Sequence, residues 1–295
     1  MANLFDGNGN EIEIGGGESG KLDVTDYKIY EESNGTQSRQ GVLTYNGLNL
    51  YPVNMPLQRE NETKLYSGGL MVTLGDSYTA YLSSYFDKFA NAHGLIQKNV
   101  GLASSKIARP EGEGLDTVKS FVTRLDELIA SFPITISGKA YTTTDVKLIT
   151  FMGGANDWTT VDTEKSIDRI GNRYSTDKGQ IYGATKYCLE TLQKTFPSAD
   201  IIVILQPNNG NNTDFCVMEM KENIVKECAE MYSLPICDCC FNFYSPSNPT
   251  ELSKYWQSDK LHLNADGHQK LIDKLEVTLN TLDYYKSQLT KAGYS

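Results

Sequence analysis

From Leu70 onward the chain alternates short apolar runs with longer stretches whose apolar residues recur about every three or four positions. The runs are Leu70–Leu74, Ile96–Val100, Lys147–Met152, Ile201–Leu205 and Pro235–Cys240, each of strand length. Between them lie helical patterns. Tyr78, Tyr81, Leu82, Tyr85, Phe86 and Phe89 share one predicted face, with Gly94 as the stop. Leu115, Val118, Phe121, Val122, Leu125, Leu128 and Ile129 mark a second helix. Tyr187, Cys188, Leu192 and Phe196 mark a third, ahead of Pro197. Val217, Met220, Ile224, Cys228 and Met231 mark a fourth, and a long pattern from about Ala265 to Leu282 a fifth. Apolar strands separated by helices predict an α/β fold, with a parallel sheet covered on both faces. In such sheets the chemistry lies beyond the carboxyl ends of the strands.

Residues 1–66 follow another pattern. They are rich in Gly, Asn, Thr and Tyr, with short alternating pieces such as Lys28-Ile29-Tyr30 and Val42-Leu43-Thr44-Tyr45. Asn46-Gly47 is a tight-turn dipeptide. The reading is a glycine-rich leader followed by a small β appendage over 1–66, then the α/β domain over 67–295.

Composition narrows the function classes. The chain has 295 residues, 22% charged and 39% hydrophobic, which suits one α/β domain with a smaller appendage. A formal charge of −10 repels phosphate backbones, so no nucleic-acid partner is expected. No apolar run reaches the length of about 18 residues that spans a bilayer. The opening MANLFDGNGNEIEIGGGESGK lacks the basic flank and apolar stretch of a secretion signal. A cytoplasmic location is the default expectation, with export or virion association as alternatives. All six cysteines follow residue 187, and Cys237 and Cys240 form a C-x-x-C. No second Cys or His pair stands nearby at zinc-ligand spacing, so the cysteines read as core residues of a buried strand. No cofactor is implied.

The polar residues just after the strands carry the chemistry. Ser77 follows Gly75-Asp76 at a strand-to-helix junction. There a hydroxyl either caps the helix or acts as a nucleophile beside helix N–H groups. A serine nucleophile needs a base, usually a histidine oriented by a carboxylate. The chain has three histidines. His93 ends a predicted helix and His268 begins one, so both read as structural. His262 is the base candidate, and Asp259, three residues earlier in a turn, reaches its Nδ1. Gly153-Gly154-Ala155-Asn156-Asp157 follows another strand. Asn156 is either an oxyanion donor or part of a plain turn. Gly101, after Ile96–Val100, and Ser77 supply candidate backbone donors.

These residues resemble the four blocks of the SGNH/GDSL hydrolases, in the family's order. Val72-Thr73-Leu74-Gly75-Asp76-Ser77-Tyr78 looks like the first and Asn99-Val100-Gly101 like the second. Gly154-Ala155-Asn156-Asp157 looks like the third, and Asp259 through His268 like the last. The match covers roughly residues 67–285 and leaves the first 66 outside it. The resemblance implies a three-layer α/β/α flavodoxin-like fold. It implies Ser77 as nucleophile, His262 as base and Asp259 as its orienter. The oxyanion donors would be Ser77, Gly101 and Asn156, while Asp76 and Asp157 would be structural. Leu263 stands where the family often has proline, and Ser104 where it often has a second glycine.

The activity so implied is a serine esterase acting on small O-acyl esters, acetyl on carbohydrate being the first choice. Trp158 and Trp256 flank the third and last blocks and are candidate sugar-stacking residues, against the plainer reading of core packing. Two other classes stay open. One is a metallohydrolase using Asp259, His262 and His268. The other is a phage-tail- or assembly-associated protein with a binding or structural role. The sequence leaves the oligomeric state open.

Overall fold

A computed structural model describes residues 66, 68–109, 119–157, 169–207, 215–240, 243 and 254–291, with backbone strands among the first 50. The chain divides into two units, Met1–Thr63 and Lys64–Ser295. In the first, β1 (Ala2–Phe5) pairs antiparallel with β2 (Glu11–Ile14). β3 (Leu22–Glu31), β4 (Gln37–Tyr45) and β5 (Leu48–Leu50) form a second antiparallel sheet. Part of the segment read as leader is thus strand. The rest of it lies outside the described residues, as do Asn46 and Gly47.

The second unit is the α/β domain. β6 (Leu70–Gly75) leads into α1 (Ser77–Tyr81) and α2 (Ser83–Ala92), then β7 (Ile96–Asn99). α3 (Phe121–Ala130) precedes a hairpin of β8 (Ile134–Ile136) and β9 (Lys139–Tyr141). β10 (Val146–Met152), α4 (Ile181–Thr195), β11 (Asp200–Leu205), α5 (Phe215–Met231), β12 (Ile236–Asp238) and α6 (Ala265–Lys291) complete it. The five long-range strands pair in parallel in the order β12-β11-β10-β6-β7. That is the doubly wound flavodoxin-like order, reversing direction between β6 and β10.

Alternation along the strands makes the three layers. Leu70, Val72 and Leu74 face one way, with Ile149, Phe151, Ile201 and Val203, onto α3, α4 and α5. Met71, Leu148, Ile202 and Ile204 face the other way, onto α1, α2 and α6. Side chains alternate across a strand, so each central strand is apolar on both faces. This explains the unbroken apolar runs in the sequence.

Two expectations need adjustment, and one element is unexpected. The helix after Ser77 is two pieces, broken at Leu82, and Tyr81 turns outward to 50% exposure instead of joining the buried face. The second helix begins at Phe121, capped by the Ser120 hydroxyl accepting from Thr123 N. Residues 110–118 of that pattern lie outside the described residues. The β8–β9 hairpin has no period-2 signal long enough to read. Its two-residue turn uses positive φ at Ser137 (50°) and Gly138 (81°).

Candidate active site

The reversal point of the sheet opens a crevice at the carboxyl ends of β6 and β10. Ser77 follows β6, and Asn156 follows β10. At the end of β6, Gly75 sits against both α1 and β10. A Cβ there would meet Thr79 Oγ1 at 1.9 Å and the Met152 carbonyl at 2.8 Å. Glycine therefore lets α1 start directly at the sheet. Asp76 is the N-cap of α1, its Oδ1 accepting from Tyr78 N at 3.0 Å. Since Asp76 holds the cap, the Ser77 hydroxyl is not engaged as one. It lies 3.2 Å from His262 Nε2.

The other side of His262 completes the line. Its Nδ1 lies 2.8 Å from Asp259 Oδ2. Asp259 Oδ1 also accepts from Leu261 N (2.9 Å) and His262 N (3.0 Å), which curls the backbone so that both side chains meet. Lys260 takes positive φ (53°) in that curl. The loop is pinned from outside. Tyr78 Oη donates to the Leu261 carbonyl at 2.5 Å, and Trp256 and Leu263 form an antiparallel bridge. Gln257 N donates to the His262 carbonyl at 2.8 Å. Burial is the largest single influence on the Asp259 carboxyl, and it pulls upward. The backbone and ring donors of His262, with Leu261 N, outweigh it and hold Asp259 below the ordinary carboxylate range. It therefore stays ionised facing the imidazole.

The candidate oxyanion donors flank Ser77 but have partners of their own. Gly101 N donates to Asn99 Oδ1 at 2.6 Å. Asn156 Nδ2 donates to the Ser105 carbonyl at 3.0 Å and stands 3.5 Å from Asp76 Oδ2. Gly101 lies tight against the first turn of α1, where a Cβ would meet Ala80 N at 2.6 Å. Binding an oxyanion requires these bonds to be exchanged for the new one. Asp157 holds the neighbouring loop, accepting from Ile107 N (2.8 Å) and Ala108 N (3.0 Å). Ser104 carries positive φ (64°) in that loop, the backbone shape a glycine would favour.

Sequence reasoning missed a buried polar cluster behind these turns. Gln206 Nε2 donates to Asp76 Oδ2 at 2.7 Å, and its Oε1 accepts from Ala155 N at 2.7 Å. One amide thus ties the turn before Ser77 to the turn carrying Asn156. Gln206 N donates to Glu222 Oε2 at 2.9 Å, and Lys221 Nζ donates to the Asp157 carbonyl at 2.6 Å. Burial raises the Asp76 carboxyl to about 7 against its bonds from Gln206 and Tyr78 N. Burial likewise raises Asp157 to about 6 and Glu222 well above its ordinary value, and lowers Lys221. The signals in the sequence are slight: Gln206 directly follows an apolar strand, and Lys221-Glu222 stand among several other charged residues of an amphipathic helical pattern.

Other candidates fall elsewhere. Trp256 is a core residue, not a substrate contact. It is 4% exposed and packs edge-on against Phe243 at 5.5 Å, which leaves no ring face for a sugar. Trp158 lies outside the described residues. His93 pairs with Glu276 at 2.9 Å, and His268 packs against Tyr85 at 5.1 Å. Burial, then the His262 charge, lowers His268. Among the described residues no group of three or more His, Cys, Asp or Glu is set to hold a metal ion. Cys237, Cys239 and Cys240 are buried and unpaired by disulfides. No helix is long and apolar enough to cross a membrane among the described residues.

Comparison with known proteins agrees with this architecture. The sequence profile of the GDSL-like Lipase/Acylhydrolase family matches residues 73–270. A protein from Lactobacillus plantarum shares 20% identity at TM-score 0.56, over 75% of this chain and 99% of its own. A lipase/acylhydrolase from Enterococcus faecalis (16% identity, TM-score 0.45) aligns over 70% of this chain and 93% of its own. An acetyl xylan esterase (16%, TM-score 0.46) aligns over 70% and 97%. These last two likenesses say nothing about this chain's substrate. A sequence search of curated proteins returns no significant match.

Proposed function

This chain belongs to the GDSL-like lipase/acylhydrolase family, and from that premise we propose that it is a serine esterase cleaving small O-acyl esters. The observation that carries the reading is the continuous line Ser77 Oγ, His262 and Asp259, at 3.2 and 2.8 Å. His262 takes the Ser77 proton as the serine attacks the ester carbonyl, and Asp259 stabilises the imidazolium. Ser77 N, Gly101 N and Asn156 Nδ2 receive the oxyanion. His262 then hands the proton to the departing alcohol. Water deacylates the enzyme with the same base. Losing one oxyanion donor costs about 2.7–4 kcal/mol of barrier in this chemistry.

Acetyl carried on carbohydrate is the proposed substrate class. The test is a chain-length series of acyl esters with Ser77→Ala as control. Activity should peak on acetyl esters and vanish in Ser77→Ala. A peak on long acyl chains rejects the acetyl reading. Full activity in Ser77→Ala rejects the nucleophile.

A further inference from the structure

The break between α1 and α2 leaves one aromatic side chain in an unusual place. Tyr78 and Leu82 turn into the core at 2% and 0% exposure, while Tyr81 is 50% exposed. Tyr81 is four residues after Ser77 on the same short helix, so both project from one side of it. Its ring centroid lies 4.7 Å from that of His262 in an edge-on arrangement (71°). The other ring near His262, Tyr78 at 6.1 Å, is buried and committed to the Leu261 carbonyl. Among the described residues, the other exposed large apolar side chains are Tyr174, Val277, Tyr285 and Leu289.

Resting on the esterase reading, we infer that Tyr81 is the wall of the leaving-group subsite and selects ring-shaped alcohols. The argument follows the proton. When the acyl–oxygen bond breaks, the acyl carbon stays on Ser77 Oγ and the alcohol oxygen takes its proton from His262 Nε2. The alcohol must therefore depart alongside the imidazole. A half-exposed aromatic ring standing beside that imidazole meets it there. A flat, partly solvated ring offers a face to the C–H surface of a sugar or to an aryl group, and little to a short aliphatic alcohol. Tyr81 takes the stacking role that buried Trp256 cannot fill.

The test holds the acyl group constant and varies the alcohol: ethyl acetate, phenyl acetate and an O-acetylated methyl pyranoside. Tyr81→Ala should lose about three- to tenfold in kcat/KM on the two ring alcohols. Its loss on ethyl acetate should be smaller by that factor, and Tyr81→Phe should keep the wild-type preference. Because substrates are compared within one variant, partial misfolding cancels. An equal loss on all three esters, no loss on any, or a Tyr81→Phe loss as large as that of Tyr81→Ala overturns the assignment. A wild type inactive on all three, or activity that survives Ser77→Ala, overturns the esterase reading itself and this assignment with it.

Discussion

At the scale of single residues, the meeting of Ser77, Asp259 and His262 is legible in the sequence. Each stands beside turn-forming residues in a short motif, and the Asp-to-His spacing is local. What the sequence hides is which group does the capping. Ser77 and Asp76 are both competent N-caps, and only the structure gives the cap to Asp76. Gln206 is hidden for another reason. Its partners Asp76 and Ala155 lie far away along the chain, and a lone Gln after a strand announces nothing. Ser104 yields a stability prediction. Its positive φ costs about 1–2 kcal/mol in a non-glycine residue. Glycine would remove that strain but lose about 0.5–1 kcal/mol through unfolded-state entropy. Ser104→Gly should therefore stabilise the protein by up to about 1.5 kcal/mol, read from the denaturant midpoint. A clear loss would mean that the Ser104 side chain contributes more than its backbone costs.

At the scale of elements, the strands are read closely because their burial on both faces leaves an unmistakable apolar signature. Helix interiors are also legible; their interruptions are not. Tyr81 fits the helical period of its neighbours, yet the break at Leu82 rotates it away from them. The hairpin β8–β9 is too short for alternation to show. The elements meet through the Gln206 amide, which links the end of β11 to the turns after β6 and β10. Gln206→Leu keeps the bulk but leaves Asp76 Oδ2 without its short bond and Ala155 N without an acceptor. The expected loss is about 1–3 kcal/mol of stability, measured by chemical denaturation. Activity should fall with it, because both turns lose their common tie. An unchanged midpoint would show that water replaces the amide at little cost.

At the scale of the whole molecule, the parallel sheet and its two helical layers follow from the order of elements, whereas the strand order does not. Order depends on which way each crossover turns, and the apolar pattern is silent on that. The reversal between β6 and β10 is what draws the serine turn and the asparagine turn to one crevice. The carboxyls buried beneath that crevice make a prediction for the molecule as a unit. Asp76 and Asp157 have raised values, about 7 and about 6, against 3.8 for the ordinary group. The folded chain thus holds protons that the unfolded chain releases. Their contribution is fully present below about pH 3.8 and is lost as pH rises through those values. Glu222, also raised by burial, adds in the same sense. Lys221 and His268 are lowered, so both act oppositely, and His268 offsets part of the carboxyls' effect as pH rises toward 6.5. Asp259 is lowered and acts only in stronger acid. Tm should therefore fall between about pH 4 and pH 7 and then level, and Asp76→Asn should flatten the upper part of that slope. A Tm that does not fall over this range would mean that the carboxyls ionise in the folded protein as readily as in the unfolded one.

The crevice joins a serine made with the first strand of the parallel sheet to a histidine made after the last. During synthesis the nucleophile emerges 185 residues ahead of its base and waits without one until His262 follows. On the esterase reading, a growing or truncated chain is silent toward esters however well its sheet has formed. Turnover then reports more than the presence of the protein: it certifies that translation has passed His262 and that both ends of the fold have closed.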